Sequence, residues 1–575
     1  MATTTAVHPA DVIAGVPMDA LRDLRVLIVN MPLRESAPPN CAPLGPALLA
    51  ARLEQYGAKV SLADLNAERF YDEAAKNKGL QSSGRHPDFE EACRLLRRYA
   101  DKLRMDPQLV CFSGKITTLR WQKWVAAYAR HEWPDALLVS GGGLATEFKE
   151  GLFRWVPQLD AIAHSEGDDI IVKIGLDALA ITGKCFDRAF AHGDLAPYTI
   201  ESSAVYIGPG GENSLLRGIH RMVYGGDRPR DLDALPAPAW HLLPPHVMEA
   251  YLTNEIWGLK ANNSSATPFK MTRSINTVSS RGCPFACRFC FRGGQGERNY
   301  GIRSAQSMAA EFEHLHKAHG VDFVGVLDDN FMVQAGRIAE LKDTVGRVCF
   351  RTGMRWGTHG RLDEAADLRP GSGSVPWGEG RVERMAYAGC VYIGFGAESA
   401  SPKVLEAMGK GGFMLANGTR KVNGYDLPVT MLEGYARTIK AGIHGNCTWI
   451  MGYPGETLED IKHTVAFIEW QKTLVDAPAV NQRMFTATAY PGTEMFANAT
   501  VRQRLSEGFG LDFDRYGQPI VNDALERYVL ELDDATKVLT DRHGRPVYYG
   551  AMTEDQFLRV RDLVDSGQTS KVMDL

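Results

Sequence analysis

The chain has 575 residues, 45% of them hydrophobic and 23% charged, and carries a formal net charge of −5. That length exceeds what a single hydrophobic core fills and calls for two to four domains of ordinary globular composition. The slight acidity argues against nucleic acid as a partner. No run of 18 apolar residues marks a membrane span, and Met1–Arg25 lacks the basic and apolar regions of a secretion signal, so a cytoplasmic protein is expected.

Residues 1–20 read as a flexible tail. Arg25–Asn30 (RVLIVN) reads as a first strand, and Leu44–Gly57 as a helix closed by Gly57. The apolar runs Lys59–Leu65, Leu109–Gly114, Ala136–Gly143 and Leu159–Gly167 follow, with helical stretches such as Trp121–Trp133 between them. Short apolar runs alternating with helices predict βαβ units and a parallel sheet covered on both faces. Residues 21–175 are therefore expected to form a Rossmann-like α/β domain. Ligands of such sheets bind beyond the carboxyl ends of the strands, which places Ser113, Gly114, Gly141, Gly142, Gly143, Glu166 and Gly167 around a ligand. Glycines after strands also serve simply as turns, but three such ends in one sheet favour a ligand. No GxGxxG follows the first strand, which makes NAD a poor candidate.

Residues 176–270 read as a linker region, proline-rich over Asp231–Pro245. Over residues 271–500 six apolar runs, each paired with a helical stretch, predict a partial (β/α)6 barrel. Residues 501–575 read as an α-rich C-terminal extension.

Of ten cysteines, Cys41, Cys93, Cys111, Cys185, Cys349, Cys390 and Cys447 stand apart and read as small buried hydrophobes. Such a set is not a disulfide framework and fits a reducing compartment. The other three form Cys283-x-x-x-Cys287-x-x-Cys290. Three thiolates this close can cap three irons of a 4Fe–4S cluster and leave the fourth iron without a cysteine. Structural zinc wants four ligands, usually in two separated pairs, and no second CxxC or HxxxH lies nearby. The segment follows the first barrel strand, at the face where such barrels build active sites.

CPFACRFC resembles the CxxxCxΦC signature of the radical S-adenosylmethionine superfamily, with Phe289 in the aromatic position beside the adenine. VLDDNF (Val326–Phe331), RWGTHGRLD (Arg355–Asp363), GFGAESASPKVLEAMGKG (Gly394–Gly411), MGYPGET (Met451–Thr457) and YPGTEMF (Tyr490–Phe496) are similar to successive strand-end motifs of the subfamily with an N-terminal cobalamin-binding domain. The upstream SGGG and HSEGDD resemble that cobalamin domain, so the likeness runs over about residues 24–500. It implies a 4Fe–4S cluster on Cys283, Cys287 and Cys290, S-adenosylmethionine, cobalamin, and an electron donor such as flavodoxin or ferredoxin. It also implies backbone surfaces for S-adenosylmethionine at Gly394, Gly396 and Gly452. Polar groups for the ribose would be Glu398 and Ser399, and Asp328 or Asp329 would meet the amino group or the substrate. The alternatives are a dipole-favoured carboxylate at a helix start for Glu398 and helix caps for the two aspartates.

The DxHxxG motif of histidine-on cobalamin domains is absent, so the implied cofactor is base-off, without a histidine ligand. Arg69, after the second strand, is a candidate for the face below cobalt, because a guanidinium has no lone pair to donate. The alternative is a surface arginine paired with Glu68. The activity implied is transfer of a methyl group from S-adenosylmethionine through methylcobalamin to a carbon of a small natural-product precursor. Glu297, in the glycine-rich loop after Cys290, would disfavour radical cleavage if it reached the open iron. Otherwise it is a solvated carboxylate or a partner of Arg298. With Glu297 on iron the expected acceptor is aromatic, first of all carbon 2 of the tryptophan indole on the route to an antibiotic. The rivals are a radical methylase of an sp3 carbon, an anaerobic oxidative cyclase using a 5′-deoxyadenosyl radical and, more remotely, a non-catalytic cobalamin or iron–sulfur carrier.

Overall fold

A computed structural model describes residues 8–181, 221–253, 271–291, 300–369, 373–533 and 537–575. The chain divides into two compact units. The first is built on the residues up to Tyr251 and takes back Val521–Ala535; the second holds most of the rest.

The first unit contains β1 (Arg25–Asn30), β2 (Lys59–Asp64), β3 (Leu109–Ser113), β4 (Leu137–Gly141), β5 (Ala161–His164) and β6 (Met222–Gly225). They form one parallel sheet in the order β2-β1-β3-β4-β5-β6. Helices cover both faces of such a sheet, so its strands read as unbroken apolar runs; Val26, Leu27, Ile28 and Val29 of β1 are all buried. The strand order reverses between β1 and β3, and that reversal opens a crevice at their carboxyl ends. There Asn30 is in register with both Asp64 and Ser113.

Three expectations of the sequence change here. Residues 8–20 are not a tail: Pro9–Val12 is helical, Ile13 is buried, and His8 Nε2 lies 3.0 Å from the Arg228 carbonyl oxygen. The region 176–270 is not only a linker, since Met222–Gly225 pairs with β5 as a sixth strand. Tyr224 in β6 donates a 2.7 Å hydrogen bond to Asp177 on the helix Ile170–Ile181, and Lys173 pairs with the same buried carboxylate. Nor is 501–575 one extension. The helix Asp523–Glu531 belongs to the first unit, packing Leu525, Tyr528 and Val529 against Ile116–Thr118 and the helix Leu119–Glu132, while residues 537–575 belong to the second. Of the isolated cysteines, Cys111, Cys349, Cys390 and Cys447 are buried, Cys41 and Cys93 are half-buried, and Cys185 lies outside the described residues.

The second unit holds β7 (Ser274–Thr277), β8 (Phe323–Val326), β9 (Arg355–Gly360), β10 (Cys390–Glu398), β11 (His444–Met451) and β12 (Met484–Thr486). These six are parallel and lie in sequential order. This is the wall of the expected partial barrel, with helices such as Ala305–His319 and Leu458–Gln471 connecting its strands. No helix among the described residues is long and apolar enough to cross a membrane.

Candidate functional site

The cysteine segment leaves the barrel just after β7. Its base is tied by a short antiparallel ladder in which Ser280 faces Ile302 and Arg281 faces Gly301. Asp328, two residues after β8, anchors the same point. Its carboxylate accepts from Ser279 N at 2.6 Å, Ser280 N at 2.9 Å and Ser279 Oγ at 2.6 Å, with Arg337 Nη2 at 3.6 Å. Asp328 is thereby committed to holding the loop. Its neighbour Asp329 faces a cavity of about 480 Å³.

Cys283, Cys287, Cys290 and Phe289 line that cavity together with Gly394, Gly396 and Glu398. Phe289, Asp328, Asp329, Gly394, Gly396 and Glu398, six residues expected at one site from three separate motifs, thus line one cavity with the cysteines. Desolvation by the surrounding protein pushes the Cys283 thiol up and the Cys290 thiol up to about 12, with neighbouring thiols adding to both shifts. Metal binding at these sulfurs must therefore displace protons. Among the described residues no three His, Cys, Asp or Glu side chains converge as for a single ion. The three thiols that line this cavity are soft donors of the kind an iron–sulfur cluster takes.

Two cations complete the wall, and neither was among the residues singled out from the sequence. Lys410 is buried; its ammonium donates to the Gly396 carbonyl, lies 3.5 Å from Glu398 Oε1 and sits 6.0 Å from the Phe289 ring centroid. Arg361, also buried, points Nη1 at Cys287 Sγ over 3.8 Å. Both stand inside quoted motifs; Cys287 is 74 residues from Arg361, whereas the Gly396 and Glu398 partners of Lys410 lie in its own motif. Glu398 has φ +65, a left-handed conformation that is rare for a residue with a side chain and concentrated at functional sites. The glycines beside it leave little room: a Cβ at Gly394 would lie 2.7 Å from the ring carbon His359 Cδ2, and one at Gly396 would lie 2.6 Å from Glu398 Oε1 and push that carboxylate aside.

Two expected contacts fall elsewhere. Ser399 is fully buried, its hydroxyl 3.4 Å from Thr464 Oγ1 and accepting from Ser401 N at 3.1 Å. Gly452 donates to Glu456 Oε2 at 2.5 Å, accepts from Tyr549 N at 2.9 Å, and lies against Tyr548 and Phe557. Neither lines the cavity, because both are used to seat the turns after β10 and β11. Glu297 lies outside the described residues.

In the first unit, Arg69 donates to five backbone carbonyls: Asn66 (2.9 Å), Glu35 (3.0 Å), Gly84 (3.3 Å), Arg34 (3.2 Å) and Ala37 (3.1 Å). It stitches three loops together and does not pair with Glu68, whose carboxylate accepts from Tyr99 Oη and Arg98. Gly142 has φ +85, and a Cβ there would lie 2.5 Å from the Gly114 carbonyl oxygen; one at Gly114 would lie 2.4 Å from Gln122 Nε2. These two glycines are needed for the crossing of the β3 and β4 loops. Gly141 and Gly143 have room, with nothing nearer than 3.9 Å. Glu166 Oε1 is 3.6 Å from Arg228 Nη2, Gly167 packs on Leu49, and the Ser113 carbonyl accepts from Met31 N at 3.3 Å.

Residues 277–468, which include the three cysteines, Arg361 and Lys410, match the family model described as the Radical SAM superfamily. The chain is 24% identical over 428 residues to an uncharacterized methyltransferase of Pyrococcus horikoshii, covering 72% of this chain and 73% of that protein. It is also 24% identical over 491 residues to the cytidylyl-2-hydroxyethylphosphonate methyltransferase of Streptomyces wedmorensis, covering 82% and 79%. Among solved structures, the fold is similar to that of the radical S-adenosylmethionine methyltransferase TsrM from Kitasatospora setae with cobalamin and a 4Fe–4S cluster bound. The TM-score is 0.52 and the identity 17%, over 92% of this chain and 84% of that one.

Proposed function

We propose that the chain is a cobalamin-dependent methyltransferase of the radical S-adenosylmethionine type, moving a methyl group from S-adenosylmethionine to a carbon of a small natural-product precursor. One observation carries this reading: three thiols share a cavity with Glu398, Asp329 and Lys410, a set that suits a zwitterionic sulfonium ligand. Cys283, Cys287 and Cys290 would hold the cluster, Phe289 would offer its ring to the adenine, and the backbone at Gly394 and Gly396 would admit the ligand closely. Glu398, held by Lys410, would take the ribose hydroxyls, and Asp329 the methionine ammonium. In the first unit the crevice beyond β1 and β3, with Ser113, Gly141, Gly143 and Glu166 nearby, would take the corrin in its base-off form. When bound, the cluster supplies single electrons and the cobalamin carries the methyl group.

Two matched curated proteins are methyltransferases, and the similar solved structure holds both cofactors. Within this proposal Arg69 would face the side of the corrin that takes no protein ligand, Glu297 would disfavour radical cleavage at the cluster, and the acceptor would be carbon 2 of the tryptophan indole. The test is anaerobic turnover of reconstituted protein with cobalamin, a strong reductant, methyl-labelled S-adenosylmethionine and L-tryptophan. The expected result is labelled 2-methyltryptophan without 5′-deoxyadenosine. Stoichiometric 5′-deoxyadenosine with a methylated aliphatic acceptor replaces the polar route by a radical one. No consumption of S-adenosylmethionine by fully loaded protein sinks the methyltransferase reading and leaves a carrier.

A further inference from the structure

Arg361 follows β9 directly, and its side chain is 8% exposed. Nε and Nη2 grip the two oxygens of Asp363 at 2.9 Å and 3.3 Å. The guanidinium carbon lies 4.0 Å from the ring centroid of Phe285 and 5.8 Å from that of Phe413, and the two rings meet edge to face at 5.3 Å. Carboxylate and rings together fix the guanidinium plane, and Nη1 is the nitrogen left over. It lies 3.8 Å from Cys287 Sγ, a residue 74 positions away.

The carboxylate and aromatic contacts would seat this arginine without turning an N–H towards sulfur, so the third contact calls for a separate account. Hydrogen bonds to ligating sulfurs and fixed charge near a cluster are principal levers on its reduction potential. A cation at a cysteine sulfur draws electron density away from the metal and stabilises the state that holds one more electron. We propose that Arg361 is a positioning residue that raises the reduction potential of the cluster on Cys283, Cys287 and Cys290, with Asp363 trimming its charge. The proposal rests on the cluster reading above. The step affected is uptake of one electron from the external donor; no bond is made or broken at Arg361 itself.

The test uses the full chain with Arg361→Gln, Arg361→Lys and Asp363→Asn, each reconstituted anaerobically without S-adenosylmethionine. Iron and sulfide are counted, and the cluster is titrated with its paramagnetic signal as readout. Arg361→Gln should load normally and become about tenfold harder to reduce, ~59 mV for a one-electron couple. Arg361→Lys should recover part of that shift. Asp363→Asn should move the potential the opposite way, because it unmasks the guanidinium, and it decides the question alone if Arg361→Gln does not load. Loaded Arg361→Gln and Asp363→Asn proteins that titrate with the wild type overturn this inference while leaving the cluster reading standing. A wild-type chain that holds no iron and sulfide overturns the cluster reading and this inference with it.

Discussion

Glu456 is completely buried in the turn after β11, with Oε2 accepting from the Gly452 amide and burial pushing its carboxyl up to about 8 from an ordinary 4.5. In the fold it keeps a proton that the unfolded chain gives up at lower pH. Its contribution to stability is therefore complete below about 4.5 and is lost as pH rises through about 8, with a slope of at most ~1.4 kcal/mol per pH unit between. Glu456→Gln keeps an oxygen for the Gly452 N–H but cannot ionise. Its melting temperature, compared with wild type from pH 4.5 to 8, should gain steadily with pH; a constant offset would contradict this account. At the same scale, the three cysteines were legible because they stand within eight residues of one another. Arg361 was not, because its sulfur partner is 74 residues away, and Lys410 was not, because nothing in its motif shows that the turn folds its ammonium back onto Gly396 and Glu398.

At the scale of elements, most strands could be read because burial on both faces makes them unbroken apolar runs. The strand β6 escaped, since Met222–Gly225 stands in a stretch read as linker and gains its apolar surroundings only in the fold, from β5 and the helix Ile170–Ile181. The strand-end glycines were read as one ligand-binding set, and the structure divides them. Gly142 occupies a conformation essentially restricted to glycine and abuts the Gly114 carbonyl, whereas a Cβ at Gly143 would meet only the Lys115 Cα, at an ordinary 3.9 Å. Gly142→Ala should cost roughly 1–3 kcal/mol from the backbone alone, visible as an earlier urea midpoint. Gly143→Ala should leave that midpoint in place. If the loop also cradles a corrin, Gly143→Ala should still weaken cobalamin retention on gel filtration, separating the binding role from the packing role.

At the scale of the whole molecule, the order of residues along the chain does not follow the order of its folded units. The sequence offered a simple succession of tail, domain, linker, barrel and extension. Hydrophobic periodicity identifies a helix at Asp523–Glu531 but carries no information about which surface will receive it. That surface is on the first unit, where Leu525, Tyr528 and Val529 are buried and Lys123 pairs with Glu526. A fragment of residues 1–253 should consequently melt below the same fragment supplied with a synthetic peptide of residues 521–533. Calorimetry with and without the peptide checks this, and a peptide whose Leu525 is replaced by alanine should restore less, since truncating a buried leucine costs about 2–5 kcal/mol.

The returning helix also bears on how the protein is made. The segment that completes the first unit leaves the ribosome roughly 270 residues after the rest of it. At about 5–20 residues per second the nascent chain spends some tens of seconds with the apolar strip beside Leu119–Glu132 uncovered. Over that interval the strip is open to chaperones and to neighbouring nascent chains, so synthesis rate and chaperone supply, more than final stability, would govern the yield of native protein.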